Sequence, residues 1–194
     1  MLMISSVLIA SAATAFSAPQ EKPLPAWYAK AVRSFDAKFE PAEAKPGQTV
    51  TLKMTIVLTP GHFTYSTKQT DKQVLEIGLM NGVKFPEPGS VIFVGEIVDP
   101  PNPKLKAMPE LGIKTLLTHA GTATFERKVV VNPAQTPGDL VVKIPEFRLN
   151  VCNANDCFPV QKVPLEATLK VLDGPAVSID EKYADEVKKA LEKK

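Results

Sequence analysis

The stretch 49-TVTLKMTIVL-58 alternates along its length: Val50, Leu52, Met54 and Ile56 fall on one face of an extended chain, Thr49, Thr51, Lys53 and Thr55 on the other. It reads as a half-buried strand. Upstream, 35-FDAKFEP-41 repeats the pattern, with Phe35, Ala37 and Phe39 opposite Asp36, Lys38 and Glu40, and Pro46-Gly47 supplies the turn between the two. Downstream, HFTYST (62–67), VLEIGLM (74–80, closed by Asn81-Gly82), SVIFVGEIV (90–98) and GTATFERKVVVN (121–132) are further strand candidates. LVVKIPEFRLNVC (140–152) and FPVQKVPLEATLKVL (158–172) complete the set. Roughly eight or nine short strands separated by turns predict an all-β fold, an immunoglobulin-like antiparallel β-sandwich. The stretch 99–114 holds too much proline for a central strand and is expected to be a long irregular loop of the kind that often carries function.

The flanks differ from this core, which is delimited to 35–173. Residues 19–34 are expected to form a tether or short helix, with Trp27 and Tyr28 packed on the core. Beyond 174, Ser178 and Glu181 suggest a capping box, and Ile179, Tyr183, Val187 and Leu191 an apolar stripe, so residues 174–194 predict a charged C-terminal α-helix laid on the sandwich. The first eighteen residues contain no charged side chain, and their apolar stretch is too short to span a bilayer. They read as a signal peptide, with cleavage after Ala15 or Ser17, which predicts a periplasmic or secreted protein whose mature chain does not insert in a membrane.

Composition narrows the function. Lys and Arg number 23 against 21 Asp and Glu, a net charge of +2, which offers no footprint for nucleic acid and no polybasic membrane patch. Hydrolase motifs and phosphate-cradling glycine loops are missing from the sequence. Chemistry therefore falls to the two cysteines of 151-VCNANDCFPVQK-162, Cys152 and Cys157. If the flanking strands are antiparallel neighbours, Asn153 to Asp156 form the hairpin loop and the two thiols face each other within disulfide reach. Such a bridge closes a very short loop and would stabilise the fold by at most about 2 kcal/mol. At an exposed hairpin end it is also open to attack by a thiolate. A structural staple, a redox couple and a metal site completed by His62 and His119 are the alternatives at this level. Neither histidine sits in a ligand-like motif, and no metal or other cofactor is expected.

The ordered blocks KPGQTVTLKMTIVLTPGHFTYS, HAGTATFERKVVV and PGDLVVKIPEFRLNVCNANDCFPVQKVPLEATLKV, over roughly residues 35 to 172, resemble the N-terminal periplasmic domain of the DsbD thiol-disulfide reductase, the disulfide bond corrector family. The last block is the most specific: Val-Cys opens a short spacer that ends in Cys-x-Pro, here Cys152, Cys157 and Pro159. The resemblance implies an exported thiol-disulfide exchange module, a component of a protein-disulfide reductase. Cys152 and Cys157 would pass electrons from a thioredoxin-like domain of a membrane thiol reductase to periplasmic acceptors, including disulfide isomerases and cytochrome c maturation thioredoxins. It further implies that Cys157 faces the partner and Cys152 resolves, and that a cap loop shields the pair. That loop would correspond to MPELG (108–112), with Pro109 in it and Leu111 where the family carries an aromatic shield; Tyr65 matches a tyrosine near the family's redox site. The rival reading is a non-catalytic immunoglobulin-like binding or adaptor module whose bridge only holds the hairpin.

Overall fold

A computed structural model describes residues 24–192. In chain order the elements are α1 (Ala26–Ala31), β1 (Val32–Glu40), β2 (Glu43–Ala44), β3 (Thr49–Leu58), β4 (Phe63–Tyr65), α2 (Lys72–Ile77), β5 (Gly82–Lys84), β6 (Val91–Val98), β7 (Lys104–Met108), β8 (Ile113–Ala120), β9 (Thr122–Val131), β10 (Gly138–Leu149), β11 (Val151–Cys152), β12 (Gln161–Val171) and α3 (Ala184–Glu192). One sheet runs β1-β3-β9-β6 and a second β2-β12-β10-β5; a third, smaller sheet runs β11-β4-β8-β7. Pairing is antiparallel except for the short β2–β12 contact. The fold is the expected all-β, immunoglobulin-like sandwich with a C-terminal helix. The expected leader, residues 1–18, lies outside the described residues.

The first two sheets enclose the main core, and the alternation that predicts β3 is what fills it: Leu52, Met54 and Ile56 are fully buried. From the opposite sheet, β10 and β12 contribute Ile144, Phe147, Leu165 and Leu169. Phe147 meets Phe35 edge-on at 4.8 Å and Phe125 at 5.3 Å, so one aromatic joins the two sheets at the centre. The core also reaches past residue 35: strand β1 begins at Val32, and Tyr28, Ala31 and Val32 are buried in the same cluster. Of the expected tether or short helix, Ala26–Ala31 is a helix, with Tyr28 in the core and Trp27 packed against it. Burial, with Asp36 adding to it, pushes the Tyr28 phenol up to about 12.

Three local expectations are corrected. VLEIGLM is not a strand: Asp71 accepts from the Gln73 N–H as N-cap, and Gly78, at φ 70°, closes helix α2 in the left-handed region. Of the proline-rich 99–114, the part from Lys104 is ordered strand, β7 and the start of β8, joined through a 3-10 turn at Pro109–Leu111 and the left-handed Gly112. At the C-terminus the cap is Asp180, which accepts from the Lys182 N–H, rather than Ser178. Tyr183 and Val187 are buried against Ile92, Val94 and Val130 of the first sheet, with Ile179 and Ala190 packed beside them, whereas Leu191 stays exposed. Among the described residues no helix is long and apolar enough to cross a membrane.

Candidate functional site

Strand β10 runs beside β12 as far as Leu149, opposite Gln161, and then leaves it. Asn150 turns the chain, and Val151 and Cys152 pair instead with Thr64 and Phe63 of β4 in the third sheet. The cysteine segment is thus a small hairpin set beyond the β10–β12 ladder, not its direct continuation as the sequence predicts. Within it Cys152 and Cys157 form an isolated antiparallel bridge and a disulfide, S–S 2.09 Å. The tip closes on itself: Asn153 Oδ1 accepts from the N–H groups of Asn155 (2.8 Å) and Asp156 (2.7 Å), and Asn153 N–H donates to the Asp156 carbonyl at 2.8 Å.

The two sulfur-bearing residues have opposite surroundings. Cys152 is 1 % exposed, packed in an apolar cluster with Tyr65, Val74, Ile113 and Leu116. Cys157 is exposed. Tyr65, itself 1 % exposed, brings its hydroxyl to 2.7 Å from Cys152 Sγ and 3.2 Å from Cys157 Sγ. Disulfide sulfurs carry no hydrogen, so the tyrosine is the donor in both contacts. Burial pushes the Tyr65 phenol up to about 12, which keeps it a neutral O–H donor at every physiological pH.

A buried polar network fixes Tyr65 against the crossing strand. Asn81 Nδ2 donates to Thr64 Oγ1 (2.8 Å) and to the Tyr65 carbonyl (2.6 Å), while Asn81 Oδ1 accepts from the Asn150 N–H at 2.8 Å. Thr64 Oγ1 donates to the Asn150 carbonyl at 2.7 Å, and Asn150 Nδ2 to the Met80 carbonyl at 2.7 Å. Asn81 is 1 % exposed and Asn150 5 %, so each bond replaces water that burial removes. Sequence reasoning treats Asn81 only as half of an Asn-Gly turn; nothing in its local pattern separates a turn asparagine from the centre of a network. From the other side, Asp71 Oδ2 accepts from the N–H groups of Lys114 and Thr115, tying α2 to β8 behind the cluster. The Thr115 and Lys114 N–H groups hold that carboxyl below its usual range.

Of the expected cap, one residue moves. Pro109 and Leu111 lie in the 3-10 turn, but Leu111 is 44 % exposed and is not among the side chains of the cysteine cluster. Met108, just before the turn, Phe63, opposite Cys152 on β4, and Leu79 are the partly buried side chains packed against that cluster. The left-handed Gly112 turns the chain so that Met108 and Ile113 pair across the hairpin and Leu111 is left at its tip. Lys106 Nζ lies 3.3 Å from the centroid of the Phe63 ring, and burial, then neighbouring Lys104, lowers its pKa.

The histidines are placed apart from any shared ligand set. The His62 ring lies near Phe158, whereas His119 Nε2 is 2.8 Å from Ser66 Oγ, with its pKa lowered by burial against the opposing pull of Asp99. The cysteine sulfurs are bonded to each other, and among the described residues no three His, Cys, Asp or Glu side chains gather as a metal site. Comparison of the chain with protein-family models and with curated proteins finds no match. The candidate site is one disulfide that joins an exposed residue, Cys157, to a buried one, Cys152, with a buried tyrosine hydrogen-bonded to both sulfurs.

Proposed function

We propose that this chain is an exported thiol-disulfide exchange module of the DsbD N-terminal type, passing reducing equivalents through Cys152 and Cys157. Its donor would be a thioredoxin-like protein served by a membrane thiol reductase, and its acceptors periplasmic thioredoxin-like proteins. The observation that carries this reading is the asymmetry of the pair: an exposed Cys157 and a buried Cys152 whose sulfur receives the Tyr65 hydroxyl at 2.7 Å.

The chemistry follows from that asymmetry. A donor thiolate attacks Cys157 Sγ, the bridge breaks, and the electron pair leaves on Cys152 Sγ. Burial in an apolar cluster disfavours a thiolate there, and the Tyr65 O–H offsets that cost with a hydrogen bond to the developing charge. A bond to a charged group is worth about 1.5–3 kcal/mol, roughly ten- to a hundredfold in rate if fully formed in the transition state. The donor's second thiolate then attacks its own sulfur in the mixed disulfide and expels Cys157 as a thiolate, which takes up a proton. The donor leaves oxidised, and the chain holds two electrons and two protons as a dithiol. Delivery reverses the order: the Cys157 thiolate attacks an acceptor disulfide, and Cys152 displaces the reduced acceptor and remakes the bridge.

Equilibration with glutathione buffers tests the reading. A reduction potential between about −180 and −270 mV, the range of exchange proteins, is expected. A value below about −300 mV, with no reduction by a thioredoxin-like protein, would assign the bridge to a structural role in a non-catalytic binding module.

A further inference from the structure

The segment that carries Cys157 is anchored by the residue after it. From Asn153 to Val160 the side chains are exposed or half-exposed, and Phe158 is the one of them packed against the main core. Its N–H donates to the Val151 carbonyl at 3.0 Å, and its ring joins a set of three near-parallel rings. The Trp27 indole lies against it at 4.9 Å with 4° between the planes, and the His62 imidazole at 5.9 Å with 22°. Both outer rings are fixed to the sandwich. Trp27 sits on α1 beside the buried Tyr28, at 5.8 Å, and His62 is held to Thr59 through its N–H, 3.1 Å from the carbonyl, and its ring Nδ1, 3.3 Å away. The middle ring alone belongs to the cysteine hairpin.

We propose that Trp27 is a positioning residue for the cysteine pair: by holding Phe158 it keeps Cys157 next to Cys152 when the bridge is open. The inference rests on the reading of that pair as a redox couple. In the oxidised chain the covalent bond fixes the two sulfurs. In the dithiol only the chain and its contacts do, and the local concentration of one sulfur at the other sets the equilibrium with an external disulfide. The Asn153 turn restrains the loop from within, whereas the Trp27–Phe158 contact restrains it against the body of the protein. An aromatic contact of this kind changes an equilibrium constant by a factor of roughly three to ten. Without it the open hairpin wanders, the dithiol gains freedom, and the bridge becomes easier to reduce.

Glutathione titration of the full chain and its variants is the test. Trp27→Ala is expected to favour the dithiol about fivefold, a rise of ~20 mV at about 30 mV per tenfold for a two-electron couple. Trp27→Phe, which keeps a flat ring, should stay near the wild-type potential. Phe158→Ala should match Trp27→Ala, and the double variant should add nothing, because both remove one contact. Should Trp27→Ala fail to fold, Phe158→Ala and Trp27→Phe carry the same comparison. Trp27 is the single tryptophan, so its emission reads the contact directly. The wavelength should move to the red in Phe158→Ala, where the indole loses its partner ring. An unchanged potential in the folded Trp27→Ala or Phe158→Ala chain, or an equal shift in Trp27→Phe, overturns the assignment. These readings need no protein partner. A bridge that no thioredoxin-like protein reduces would defeat the proposed function, yet leave the effect of Trp27 on the potential measurable.

Discussion

The sandwich and the third sheet are built on different principles. The core between the two larger sheets is apolar almost throughout, assembled from side chains that alternate along β3, β9, β10 and β12. The layer around the disulfide is a small apolar cluster set in buried polar groups. Among the described residues, the buried polar side chains are Thr51, Thr64, Ser66, Thr67, Gln69, Asn81, Thr118, His119 and Asn150, and all but Thr51 and Thr67 lie in the third sheet or hydrogen-bond to it. They bond to one another and to the backbone: Gln69 both donates to and accepts from Leu117, and Asn81 joins β4 to the turn at Asn150. Apolar packing is tolerant of position, since a buried methyl group has many acceptable neighbours. Hydrogen bonds fix distance and direction, and a tyrosine that must meet a sulfur at 2.7 Å needs both.

Substitutions in the two regions should therefore fail in different ways. The largest expected effect is Phe147→Ala, which removes the ring joining both sheets and should cost about 4 kcal/mol in urea unfolding while leaving the potential of the bridge in the folded chain unchanged. Next is Asn81→Ala. Losing its three bonds should cost about 3 kcal/mol and, unlike the core variant, also alter the rate of bridge reduction by a small thiol, because Tyr65 loses its anchor. If the folded Phe147→Ala chain alters that rate as much as Asn81→Ala does, the contrast between the regions breaks down.

Tyr65→Phe isolates the chemistry. Reduction by dithiothreitol in stopped flow should slow about tenfold, with stability lowered by only about 1 kcal/mol. A smaller effect is expected from acid. Burial lowers the His119 pKa, so the folded chain binds fewer protons than the unfolded chain as pH falls through the histidine range. Its contribution is complete above the unfolded pKa of about 6.5 and is lost as pH falls toward the folded one. A second loss follows at lower pH as the depressed Asp71 carboxyl protonates. His119→Gln should flatten the slope of stability between roughly pH 5 and 7. The smallest effect is that of Leu111→Ala, which should leave alkylation of the reduced thiols unchanged, whereas Met108→Ala should speed it.

How legible each region is in the sequence follows from the same contrast. Strands β3, β9, β10 and β12 announce themselves because one face is apolar and the other polar, which is the signal that periodicity reads. Strands β7 and β8 invert or blur it: Leu105 is 70 % exposed, while Thr118 and His119 are buried, so no apolar alternation survives. Helix α2 carried usable signals in Asp71 before it and Gly78 after it, but its short apolar run matches a strand equally well. In the site, the pairing of Cys152 with Cys157 was readable from spacing and turn residues. The part that positions them was not: Asn81 and Asn150 act through partners 16 to 86 residues away, and no local pattern encodes that.

The most direct test asks which sulfur a partner attacks. The oxidised chain is mixed with a thioredoxin reduced to its single attacking cysteine, iodoacetamide captures the thiolate released, and the products are mapped by mass spectrometry. The predicted result is thioredoxin joined to Cys157 with Cys152 alkylated. Thioredoxin on Cys152, or no adduct while the chain remains folded, would contradict the account.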